Sequence, residues 1–106
     1  GRQVWSTVHV RDWGELIADA VERAPPGGRR YVAASGEIAI ADAAARVATA
    51  LGLPGPVEAD ADDLAALGMF GPALALSQRF SGIRARDELG WSPRAGGCGA
   101  DAVPRR

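Results

Sequence analysis

Two breaker runs, Pro25-Pro26-Gly27-Gly28 and Pro54-Gly55-Pro56, limit what this 106-residue chain can fold into. Proline supplies no backbone N–H and glycine readily takes left-handed conformations, so neither run sits inside a helix or a central strand. Before the first run, Trp5–Val10 is rich in β-branched and aromatic residues and reads as a strand. Asp12 and Glu15 have the spacing of a capping box. Trp13, Leu16, Ile17, Ala20 and Val21 then repeat as one stripe of an amphipathic helix.

Between the breakers, Tyr31–Ala34 reads as a second strand ended by Ser35-Gly36. Ile40, Ala44, Val47, Ala48 and Leu51 give a second helix with Gly52 as its C-cap. Strand–helix–strand–helix order favours parallel strands, because a parallel pair needs a crossover. Beyond Pro56 the pattern predicts a short helix over Asp60–Leu67, with Asp60, Asp62 and Asp63 at its positive end. A turn over Gly68–Gly71 follows, carrying Met69 and Phe70, and then a helix over Pro72–Gln78. A last helix is capped by Ser81, runs to Leu89 and is closed by Gly90. The expected class is α/β: a partial lobe, residues 1–94, with two short parallel strands and about four helices. Residues 95–106 read as a disordered tail.

Composition removes several function classes. Twelve basic residues against thirteen acidic ones leave a net charge of −1, with the arginines spread along the chain, so nucleic acid is not an expected partner. No apolar run has the length of a membrane span, and no membrane partner is expected. Cys98 is the only cysteine and His9 the only histidine, which excludes an intrachain disulfide and a cysteine or histidine zinc cluster. A reducing, cytoplasmic location is the corresponding expectation. His9 reads as a half-buried structural imidazole, the three aspartates as a solvated helix start, and Ser35 and Ser81 as turn and cap residues. Arg79, Arg84 and Arg86 read as a surface ion-paired with Asp87 and Glu88.

Four phrases in order resemble the C-terminal third of extended short-chain dehydrogenases/reductases of the NAD(P)-dependent epimerase/dehydratase type. They are Trp5–Asp12 (WSTVHVRD), Tyr31–Gly36 (YVAASG), the helix ending in Ala50-Leu51-Gly52-Leu53-Pro54, and Arg84–Pro93 (RARDELGWSP). The resemblance implies that the chain is the substrate-side lobe of such an enzyme. Its partners would then be an N-terminal Rossmann domain and a small-molecule substrate, and NAD or NADP would be the cofactor of the parent protein. It also implies substrate contacts from Trp5, Met69 and Phe70. Nucleotide-sugar members commonly carry an arginine where Trp5 stands, so a smaller or more apolar substrate is expected. Arg11 stands where the family usually has the first Asp of a pair.

The chain itself holds neither the glycine-rich dinucleotide turn nor the catalytic tyrosine–lysine pair, for it has one tyrosine, Tyr31, and no lysine. No catalytic, cofactor-binding or metal residue is therefore assigned, and the chain alone is expected to bind no cofactor. A lobe cut from a larger sheet leaves a strand edge through which it can self-associate. The alternative is a small self-contained α/β binding module without catalysis, which would be monomeric and cooperative in unfolding.

Overall fold

The computed structural model describes residues 1–95 as a small mixed α/β structure with a two-stranded sheet and five helices. The order is β1 (Val4–Thr7), α1 (Val10–Arg23), β2 (Gly36–Ala39), α2 (Ile40–Leu51), α3 (Ala61–Ala66), α4 (Phe70–Leu74) and α5 (Ile83–Leu89). The strands are antiparallel, with Val4 opposite Ala39 and Thr7 opposite Gly36. This corrects the expected parallel pair. The run Tyr31–Ala34, expected as the second strand, belongs to no strand. The chain pairs with β1 only after Ser35, whose amide donates to the Thr7 carbonyl at 2.9 Å. Ser35-Gly36 therefore opens a strand instead of ending one.

Helix α1 begins earlier than its sequence suggests. His9 is the N-cap, its Nδ1 accepting from the Arg11 amide at 3.1 Å, so Asp12 is not a cap. The second helix ends as expected, with Gly52 at φ 65°, the left-handed conformation that glycine reaches without a Cβ clash. At α3 the Asp60 carboxylate accepts from the amides of Asp62 and Asp63, and Asp63 reaches back to the Asp60 amide, a complete capping box. The helix expected over Pro72–Gln78 is instead α4, and the chain beyond Ala75 straightens to lie along β1. Gly82 is the N-cap of α5. The neighbouring Ser81 Oγ accepts from the Ile83 amide at 3.2 Å, and Gly90 closes the helix at φ 65°.

The core lies where α1 crosses α5. Leu16, Ala85, Leu89 and Trp91 are buried there, with Val8, Ala20, Ala24, Tyr31 and Ala33 packed around them. Trp91 also donates its indole N–H to the Asp12 carbonyl at 2.9 Å, which satisfies the one polar atom the ring takes inside. Arg23 donates to the Leu89 carbonyl at 3.0 Å, placing a cation at the negative end of α5. The molecule extends over 47 × 32 × 20 Å. Its radius of gyration is 16.5 Å, whereas a compact domain of this length has about 13 Å.

Candidate functional site

The best-connected seam runs along β1. On one side β1 pairs with β2, and on the other it meets residues 74–80, which return from α4. Gln78 donates to the Val4 carbonyl and accepts from the Ser6 amide, both at 2.8 Å, and Trp5 bridges Gln78 in the parallel sense. Side chains lengthen the seam. Gln3 donates to the Leu74 carbonyl at 3.1 Å, Ser77 Oγ accepts from the Val4 amide at 3.1 Å, and Ser6 Oγ accepts from the Phe80 amide at 2.6 Å. Residues 74–80 thus occupy the second edge of β1.

Trp5, half-buried, donates its indole N–H to the Leu76 carbonyl at 3.0 Å. That bond fixes the ring across the seam. Met69 and Phe70 stand at the α3–α4 corner, 84% and 68% exposed. Gly68 turns this corner at φ 62°, and Gly71 lies so close to the Leu64 carbonyl that a side chain there has no room. Helix α4 is five residues, a rise of about 7.5 Å, and its last residue, Leu74, is the one that Gln3 holds. The corner bearing Met69 and Phe70 is thereby tethered, through one short helix, to the seam bearing Trp5.

Beside the seam, an open cleft of about 370 Å³ lies between Ala34–Glu37 and Phe80–Ile83, with Arg86 on its wall. Glu37 pairs with Arg79 at 3.9 Å, so this arginine takes its partner from β2 and not from the acidic residues of α5. Neither serine of the cleft has a base beside it to make it a nucleophile: Ser35 donates to a backbone carbonyl and Ser81 Oγ accepts from the Ile83 amide. The cleft can therefore bind and orient, through one guanidinium, one carboxylate and an apolar rim. A second cleft of about 430 Å³ is formed by Gln3, Ile40, Ala44 and Val57. Trp5, Met69 and Phe70 line neither. Among the described residues no group of three His, Cys, Asp or Glu is placed to hold a metal ion. Cys98 lies outside the described residues.

Two ionisable groups have distinct environments. Asp12 is buried, and its two carboxylate oxygens accept from the Arg94 and Ala95 amides, each at 3.0 Å. The bond from Arg94 is the main cause that holds this carboxyl below its usual range, against the desolvation that would raise it. Sequence reasoning placed Asp12 in a cap and missed this clasp. Its partners lie more than 80 residues away, and no local spacing signals them. Tyr31 donates to Glu88 at 2.8 Å, while Arg29 pairs with the same carboxylate at 3.9 Å. Desolvation first, and then the bond to Glu88, raise the Tyr31 pKa. That is the opposite of what a tyrosine base near neutral pH requires.

No family model, no curated protein and no solved structure matches this chain. No helix among the described residues is long and apolar enough to cross a membrane.

Proposed function

We propose that this chain is the substrate-side lobe of an extended short-chain NAD(P)-dependent oxidoreductase or epimerase, inactive alone and completed by a Rossmann domain that carries the cofactor and the catalytic pair. Beside the four family-like phrases, the observation that carries the reading is the half-covered stripe of α1. Leu16 on that stripe is 4% exposed, whereas Trp13, Ile17 and Val21 are 52%, 50% and 83% exposed. A self-contained module covers such a stripe, but a lobe leaves it for the body on which it sits. The elongated shape supports the same reading.

In this reading Trp5 offers a fixed aromatic face to a small, largely apolar substrate, and Met69 and Phe70 close over it from the α3–α4 corner. The lobe contributes binding and water exclusion, and hydride transfer belongs to the parent's cofactor. Two measurements test it. Titration of the isolated chain with NADH should give no saturable binding, and the gene product from its source should exceed 10.9 kDa by a whole nucleotide-binding domain. Tight NADH binding, or a native mass equal to this chain's, overturns the proposal. Monomeric, cooperative unfolding at that mass favours the small binding module.

A further inference from the structure

The loop after α1 carries a feature that neither the β1 seam nor the α1–α5 core uses. An open cleft of about 430 Å³ is lined by Pro26, Gly27, Gly28, Arg29 and Arg30 from this loop and by Arg84 from α5. Three of these residues are arginines and none is acidic, in a chain whose net charge is −1. The positive charge is therefore local and not a property of the whole molecule. The carboxylates of α5 cancel little of it. Glu88 stands one turn along the helix from Arg84, the spacing at which opposite charges commonly pair. Its two oxygens are engaged elsewhere: one accepts from the Tyr31 hydroxyl at 2.8 Å, and the other faces Arg29 at 3.9 Å. Arg84 reaches across to the loop and donates to the Arg30 carbonyl at 3.4 Å, which ties the two walls together.

The loop backbone leaves the cleft accessible. Gly27 and Gly28 have positive φ, 111° and 72°, and no atom lies within 4 Å of where a side chain on either would begin. The amides of residues 27–30 donate to no described residue, so they stand as further N–H groups beside the guanidinia. A phosphate dianion matches this donor set better than a carboxylate or an apolar molecule does. Its terminal oxygens each take charge-assisted bonds from a guanidinium, and its second charge answers the surplus that Glu88 leaves. Apart from Pro26 the lining has no apolar side chain, so nothing there holds a base or a hydrocarbon chain.

We infer that the cleft between residues 26–30 and Arg84 binds a soluble phosphate monoester, held by Arg29, Arg30 and Arg84 with its organic part left in solvent. The inference uses only residues of this chain and stands whether or not the chain is a lobe. The test is an NMR titration of the nitrogen-labelled chain with glycerol phosphate, at constant ionic strength to remove general screening. Amides of residues 27–30 and the Nε–H groups of the three arginines should shift saturably, with a Kd of about 1 mM. Arg30→Gln and Arg84→Gln should each weaken binding at least about tenfold. Arg11→Gln, at the far end of α1, should leave it unchanged. The Leu16 and Leu89 amides report whether each variant stays folded. Arg30 is exposed on the loop, so its variant decides the matter even if Arg84→Gln does not fold. Absence of a saturable shift overturns the inference. So does equal weakening in Arg11→Gln, which marks general charge attraction, or acetate binding as tightly as the phosphate ester. Binding to vesicles containing phosphatidic acid, with none of the soluble ester, assigns the cleft to a lipid headgroup and overturns the proposed ligand.

Discussion

The crossing of α1 and α5 and the arm from Leu53 to Leu76 are built on opposite principles. At the crossing, Leu16, Leu89 and Trp91 are buried, and the stabilising contacts join residues far apart in sequence. In the arm nearly every side chain is exposed, and α3 is held by its own capping box and by the corner at Gly68–Gly71. The crossing therefore behaves as a small cooperative core. The arm is a local structure whose stability adds little to it.

Three substitutions break or sharpen this contrast. Trp91→Ala removes the largest buried side chain together with its bond to the Asp12 carbonyl. Unfolding in urea should show a loss of about 3–5 kcal/mol, and a loss below 1 kcal/mol would mean that the crossing is not the core. Asp12→Asn comes next. Asparagine keeps one acceptor but turns an NH₂ towards the second amide, so one bond of the clasp is replaced by two opposed donors. Because folding lowers the Asp12 pKa, the carboxylate stabilises the fold fully above its unfolded value of about 3.9 and loses this contribution as pH falls through the lower folded value. The urea midpoint of the wild type should thus drop below about pH 4 by more than that of Asp12→Asn, and parallel profiles would remove the clasp from the argument. The smallest effect belongs to Asp60→Ala, which deletes the α3 cap for about 1 kcal/mol of local helix stability. Carbon chemical shifts of residues 61–66 should move towards coil while the global midpoint stays unchanged. A matching fall in the midpoint would join the arm to the core.

What could be read from the sequence follows the same division. The acidic start of α3 at Asp60, the glycine ends at Gly52 and Gly90 and the helical spacing of Ile40–Leu51 are local, and each lies where its residues predict. The larger failures are long-range. Strand direction depended on whether Tyr31–Ala34 or Gly36–Ala39 met β1, and both runs are short and apolar enough to serve. Asp12 has a cap's spacing, but His9, immediately before the first helical residue Val10, takes that role and leaves the carboxylate for Arg94 and Ala95. At the candidate site, Trp5 could be singled out as an aromatic strand residue. Its strap, residues 74–80, could not, since Gln78 and Ser77 act there through backbone pairing that composition does not reveal.

The tie between Asp12 and residues 91–95 also sets an order of events during synthesis. Its bonds span 79 to 83 positions, so the first long helix has no buried seat until the segment around Trp91 has left the ribosome. At ordinary elongation rates that delay is on the order of ten seconds, during which the oily side of α1 must be shielded by something other than its final neighbours.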